Sequence, residues 1–196
     1  MTEAGWSAPG GMAAVLGLSD EVVHEIVSEV QAQQHHVWVA NYNSPGQVVV
    51  AGSDAGLAVM QELAVARNAK RVVSLAVSVA CHTPLMDAAS KAFGAALAVT
   101  PLHVPHIPII SNVTASLQTD PHTIRATLME QLVSPVRWVE SVRAMARLGV
   151  STVTEVGPKS VLAGLIRRIE KQLSLETVTD QASIDGWLAV RQAVSA

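Results

Sequence analysis

An α/β chain in two parts is what the sequence predicts: a ferredoxin-like βαββαβ segment over residues 11–78, then longer helices alternating with isolated strands over 79–175, and a tail at 176–196. Three observations carry this reading. Between Met12 and Val77, short β-branched runs alternate with two helical stretches, each opening on a Ser-Asp pair. After His82 the strands are isolated and nearly all apolar, as parallel strands buried on both faces are. Apolar residues make up 49% of the 196, ample for a core.

In the first part, strands are expected at Met12–Leu18, Val37–Tyr42, Gln47–Gly52 and Arg71–Val77. Ser19 is the N-cap of the first helix, with Asp20 and Glu21 in its first turn, and Val22, Val23, Ile26, Val27 and Val30 form a stripe of 3.6-residue period. Ser53-Asp54 repeats the device for the second helix. Asn43-Ser44-Pro45-Gly46-Gln47 has the composition of a turn between antiparallel strands. A split βαβ order of this kind folds as four antiparallel strands with two helices on one face.

In the second part, helices are expected over Pro84–Val99, His122–Leu132 and Pro135–Leu148, with strands at Ile107–Asn112 and Thr152–Val156. Gly157-Pro158-Lys159-Ser160 then turns into a helix over Val161–Lys171, whose Arg167, Arg168 and Lys171 suit the negative end of its dipole. Two parallel strands are too few for a doubly covered sheet, so further strands are expected from elsewhere.

Composition excludes several function classes. Net charge is −3 and aromatics are 3% of the chain, which leaves neither an electrostatic footprint nor stacking platforms for nucleic acid. Mean hydropathy is +0.34, but the apolar runs are too short to cross a bilayer. No secretory n-region or h-region opens the sequence, so a cytoplasmic location is the expectation. The single cysteine, Cys81, removes disulfide frameworks and cysteine-rich zinc sites. His35-His36 and the His103/His106 pair lack a third ligand at useful spacing, so no metal is expected.

The segment Ser78-Val79-Ala80-Cys81-His82-Thr83-Pro84-Leu85-Met86 places a histidine between an apolar run and a Thr-Pro helix start. Strand ends are where α/β enzymes put proton-transfer groups. Yet no G-x-S-x-G elbow occurs in the chain; Gly5-Trp6-Ser7-Ala8-Pro9 comes nearest and fails at its last position. Cys81 adjoins His82 on an extended segment, where neighbouring side chains point apart, so a Cys-His dyad is not expected.

Four motifs in one order carry a family resemblance: Val39-Ala40-Asn41-Tyr42-Asn43-Ser44-Pro45-Gly46-Gln47-Val48-Val49-Val50-Ala51-Gly52, then Val79-Ala80-Cys81-His82-Thr83-Pro84-Leu85-Met86, then Ser134-Pro135-Val136-Arg137-Trp138, then Glu155-Val156-Gly157-Pro158. Over about residues 10–171 the sequence resembles the C-terminal portion of malonyl-CoA:acyl carrier protein transacylases and the acyltransferase domains of polyketide synthases. The resemblance implies an α/β-hydrolase-like acyltransferase core with an inserted ferredoxin-like subdomain. It also implies a serine in a Gly-His-Ser-x-Gly elbow and a carboxylate-pairing arginine in Arg-Gly-x-x-Met, both upstream of this sequence. Met1 aligns with the methionine closing that stretch, so an incomplete chain or one half of a split enzyme is expected.

What the resemblance implies for residues follows. His82 matches the base that serves both acyl-transfer steps, and histidine as a residue type titrates near neutral pH. A backbone carbonyl of the loop Gly157, Pro158, Lys159 is expected to orient it, although Lys159 stands where a glycine or neutral polar residue fits the family better; the same residues serve equally as a turn opening a helix. Asn43, Gln47 and Cys81 are expected at the acyl cleft, the small Cys81 leaving acyl size open. Arg67, Lys70 and Arg71 would dock an acidic acyl carrier protein, or are ordinary solvated charges at a helix end.

The function expected is transfer of a malonyl or related acyl group from CoA to the phosphopantetheine thiol of an acyl carrier protein, in fatty acid or polyketide synthesis. CoA and carrier thioesters are substrates and no cofactor is implied. The isolated chain is expected to be inactive for want of the serine elbow, its partner a separate N-terminal half. The alternative is a non-catalytic carrier-binding module or remnant; a stand-alone thioesterase would need a nucleophile that the sequence lacks. Faces meant for missing strands should make the isolated chain dimerise or aggregate.

Overall fold

The computed structural model describes residues 10–194. Ser7 and the N-terminal stretch behind the expectations about the chain start lie outside the described residues. The chain divides into two compact units between Ser141 and Val142, so residues 79–141 belong with the sheet that precedes them.

In the first unit, β1 (Gly11–Leu16), α1 (Asp20–Ala32), β2 (Val37–Ser44), β3 (Gln47–Gly52), α2 (Asp54–Ala66) and β4 (Arg71–Ser74) follow the expected order. The strands lie in the order β2-β3-β1-β4, every neighbouring pair antiparallel. Both serine caps form: Ser19 accepts from the Val22 N–H and Ser53 from the Gly56 N–H. One sheet face puts Val15, Val37, Val48 and Val50 against Val23, Ile26, Val30 and Met60 of the helices, all fully buried. Each such side chain contributes about 1.5–3 kcal/mol by leaving water.

The other face is lined by Met12, Ala14, Ala40, Val49 and Ala51, and Ala80 is buried among them, with Cys81 and Leu85 packed alongside. Alanines keep this face shallow, which lets the chain around residue 80 lie directly on the sheet. β4 stops at Ser74 rather than Val77: Leu75 still donates to Met12 O at 2.9 Å, but the Val77 N–H turns back to Leu75 O at 2.8 Å and the chain leaves the sheet.

A single 3₁₀ turn (Pro84–Met86) precedes α3 (Asp87–Val99), where one helix was expected. The strand expected over Ile107–Asn112 shrinks to β5 (Ile109–Ile110), which pairs antiparallel with β6 (Leu117–Gln118) rather than joining a parallel sheet. Ser111 causes this: its hydroxyl accepts from the N–H groups of Val113 and Thr114, and the chain reverses through Ala115 at φ 51. α4 (Pro121–Glu130) starts at Asp120, whose carboxylate accepts from the Thr123 N–H at 2.8 Å. α5 (Trp138–Arg147) begins later than expected because Val136 pairs with β2 instead: its N–H donates to Ala40 O at 2.8 Å, and its carbonyl accepts from the Tyr42 N–H at 2.9 Å.

The second unit contains β7 (Thr152–Val156), α6 (Leu162–Ile169), β8 (Ser174–Val178) and α7 (Gln181–Val194). β7 and β8 are parallel and in register from Thr152–Ser174 to Val156–Val178. The sequence reading assigned neither β8 nor α7. Two carboxylates organise this unit. Glu155 accepts from the backbone N–H groups of Val161, Leu162 and Ala163 at 2.8–3.0 Å, satisfying the orphan donors at the start of α6. Glu176 Oε2 accepts from Thr154 Oγ1, Trp187 Nε1 and Arg191, tying α7 to both strands, and the Arg191 guanidinium stacks 3.7 Å over the Trp187 ring.

Candidate active site

His82 follows the segment that lies on the shallow face of the sheet and is half-buried. Its backbone is left-handed, at φ 62. A bulky L-residue adopts that conformation at a cost of about 1–2 kcal/mol, so the surroundings must impose it. Two observations show how. The fully buried Thr83 donates its hydroxyl to Ala80 O at 2.7 Å, closing a tight turn around Cys81 and His82. The His82 N–H donates to Leu132 O at 3.1 Å, beyond the end of α4.

The same helix end meets the ring. Gln131 O lies 2.8 Å from His82 Nδ1. A carbonyl only accepts, so Nδ1 carries a hydrogen, and in the neutral ring Nε2 then holds the lone pair. The Gln131 side-chain nitrogen Nε2 stands 3.3 Å from the same ring nitrogen; because Nδ1 already donates to the carbonyl, the amide suits the ring with its oxygen and nitrogen exchanged, its oxygen then being a second acceptor. The last carbonyls of a helix have no partner within the helix. Here His82 satisfies two carbonyls just past α4, one with its backbone and one with its ring.

The acceptor at Nδ1 in the structure is Gln131, whereas the sequence expectation named a carbonyl of the 157–159 loop. Gly157, Pro158 and Lys159 lie in the second unit, where the Gly157 N–H donates to Val178 O at 3.0 Å and Pro158 and Lys159 are exposed. Gln131 carried no signal in the sequence. Its contribution is a main-chain carbonyl, which every residue has, and it stands 49 positions from its partner.

Cys81 is half-buried, and burial pushes its thiol up, away from the thiolate form a nucleophile needs. Asn43 and Gln47 flank the turn at Gly46, whose φ of 73 suits glycine. Register slips between Tyr42 and Ser44, so Asn43 is a bulged residue without a partner on β3. Bulges re-aim side chains, commonly beside functional sites. The bulged β2 also holds Val136, five residues after Gln131, so the Asn43 strand and the His82 acceptor segment share one backbone connection. Arg137 reinforces it: its N–H donates to Asn112 O at 2.8 Å and its guanidinium pairs with Glu140.

The three basic candidates differ. Arg67 pairs with Glu25 at 3.3 Å and Glu29 at 3.0 Å, so its charge is met by α1. The Lys70 stem covers Gly17, where a Cβ would lie 2.5 Å from Lys70 Cγ, and both Lys70 and Arg71 are exposed. Among the described residues no group of three or more His, Cys, Asp or Glu side chains could hold a metal, and no helix is long and apolar enough to cross a membrane.

A histidine whose Nδ1 is held by a main-chain carbonyl leaves its other ring nitrogen, Nε2, able to take up a proton. The acyl transferase domain model matches residues 1–187 of the chain. This chain belongs to the acyl transferase domain family. It is 36% identical over 185 residues to the malonyl CoA-acyl carrier protein transacylase of Bacillus subtilis, covering 94% of this chain and 58% of that protein. The Haemophilus influenzae protein of the same name is 41% identical over 177 residues, covering 90% and 56%. Among solved structures, the malonyl-CoA:acyl carrier protein transacylase of Xanthomonas oryzae pv. oryzae superposes with a TM-score of 0.90 at 40% identity, over 96% of this chain and 61% of that one. A malonyl-transacylase solved with its type II polyketide-synthase acyl carrier protein superposes with a TM-score of 0.88 at 35% identity, over 93% and 60%. The chain therefore spans somewhat over half the length of the relatives it matches.

Proposed function

We propose that this chain supplies the general-base part of an acyltransferase that moves a malonyl or related acyl group from CoA to the phosphopantetheine thiol of an acyl carrier protein. The observation that carries the reading is the His82–Gln131 bond, which leaves Nε2 free as a proton acceptor. In the first step a serine hydroxyl attacks the thioester carbonyl and gives its proton to Nε2. The carbon–sulfur bond breaks, and the departing CoA sulfur takes that proton as a thiol. In the second step the carrier thiol gives its proton to Nε2 and attacks the acyl-serine ester, and the proton returns to the serine oxygen. The negative end of the α4 dipole faces the ring, a favourable neighbour for the imidazolium formed in between.

No serine elbow occurs in this sequence, so the proposed source of the nucleophile and of the arginine for the malonyl carboxylate is an N-terminal portion, either upstream in a longer chain or a separate half, and residues 1–196 alone are inactive in this reading. Support comes from the second unit, where a ladder of two parallel strands among the described residues leaves Val156 77% exposed, whereas parallel sheets are ordinarily covered on both faces. The proposed architecture is the family's α/β-hydrolase-like core completed by that portion, with residues 11–78 as its ferredoxin-like subdomain. Asn43, Gln47 and Cys81 line the acyl cleft in this reading. Lys70 and Arg71 face the carrier, and Arg67 contributes less because α1 neutralises it.

The test is intact-mass spectrometry after incubation with malonyl-CoA, of the chain alone and with a supplied N-terminal half that carries the elbow and is shown to fold and associate. An acyl adduct only in the mixture supports the split enzyme. Loading of the chain alone overturns the assignment of the nucleophile, and no loading in either sample favours a carrier-binding module.

A further inference from the structure

We infer that Ser90 is a positioning residue that holds the Gln131 carbonyl against His82. Ser90 lies in α3, is only 8% exposed, and donates its hydroxyl to Met129 O at 2.9 Å. That carbonyl also accepts from the Leu132 N–H at 3.4 Å, while the Gln131 N–H donates to Thr127 O at 2.9 Å, so Met129 lies in the turn at which α4 closes. One turn along the same face of α3, Gly94 makes room for the Met129 side chain: a Cβ there would lie 2.5 Å from Met129 Cε. Met129 is thus held by its main chain at Ser90 and by its side chain at Gly94.

Both partners of the His82–Gln131 bond are therefore referred to one helix. His82 is joined to α3 through the 3₁₀ turn at 84–86, and the Gln131 carbonyl is tied to α3 through Met129 and Ser90. The hydroxyl is not needed to fill space, since alanine has nearly the same volume. What it adds is direction, fixing the last turn of α4 along the α3 axis. The catalytic weight of this rests on reading His82 as the base; the geometric claim does not.

The experiment uses the full chain labelled with ¹⁵N-histidine, and reads the His82 tautomer from long-range proton–nitrogen correlation spectra, with the signal assigned by its loss in His82→Ala. The Nδ1–H form should dominate. In Ser90→Ala the ratio of Nδ1–H to Nε2–H should fall about fivefold, the weight of one net buried hydrogen bond. Ser90→Thr, which keeps a hydroxyl, should restore it. Thr100→Ala removes a comparable hydroxyl-to-carbonyl bond at the far end of α3, 2.8 Å to Ala96 O, and should leave the ratio unchanged. An unchanged ratio in Ser90→Ala, or an equal change in Thr100→Ala, overturns the inference. If Ser90→Ala loses its folded spectrum, Ser90→Cys takes its place: an intermediate ratio supports the role and a wild-type ratio refutes it. Acyl loading does not enter this readout, so failure of the transferase reading would leave it intact.

Discussion

The main-chain carbonyl of Gln131 stands 2.8 Å from Nδ1 of His82, across 49 residues of sequence and from the end of a different helix. The relationship selects the tautomer, and it does so without the Gln131 side chain.

Gln131→Ala should accordingly retain the Nδ1–H tautomer and, in the reconstituted loading assay, stay within about threefold of the unaltered chain. His82→Ala should lose about 10²–10⁴-fold in loading rate, the usual worth of a general base. A collapse of both tautomer and rate in Gln131→Ala would mean that the side-chain amide, not the carbonyl, orients the ring.

The left-handed backbone at His82 is separable from its ring chemistry. Asparagine tolerates this conformation and valine does not. His82→Val should therefore be less stable than His82→Asn by about 1–2 kcal/mol in urea unfolding. Equal midpoints would show that the turn relaxes to a right-handed form when the ring is gone.

Acid should weaken the second unit. Burial pushes the Glu155 carboxyl up, but the backbone N–H bonds from Ala163, Leu162 and Val161 outweigh it and hold it below the usual carboxylate range. Glu176 is held low by the Thr154 hydroxyl first, then by Trp187 and Arg191. A depressed folded value means stability that is complete above the ordinary carboxylate range and lost as pH falls through the folded value. Tryptophan fluorescence of a variant in which Trp6, Trp38 and Trp138 are replaced by Phe, so that Trp187 reports alone, should show the unit loosening on acidification. Glu155→Gln and Glu176→Gln should lower stability at neutral pH and flatten the acid dependence; a slope unchanged in both would remove these carboxylates as its cause.

The element order from β1 to β4 was legible in the sequence because its signals are local. Ser19 and Ser53 cap helices through contacts three residues away, and the period of Val23, Ile26, Val27 and Val30 names the buried face directly. His82 was singled out by its motif, to which the structure adds a left-handed turn and a ring bonded to Gln131 O. Ile107–Asn112 was misread because hydrophobicity spoke for a strand while the Ser111 hydroxyl, competing for backbone N–H groups, turned the chain. β8 and α7 were missed because their anchor, Glu176, acts through donors from three elements and reads in sequence as one more surface charge.

Residue types and their spacing settled which segments of residues 11–74 are helix or strand and which helix face is buried, and the resemblance of four motifs pointed to the acyl transferase family. The tertiary structure alone decided which carbonyl holds that histidine, that Asn43 is bulged, and that Arg67 is spent on α1. The division has a physical cause. Local structure follows from side chains interacting with their own backbone within a turn or two, whereas the site is assembled from main-chain carbonyls at helix ends, which are chemically identical along the chain until folding brings one of them to the ring.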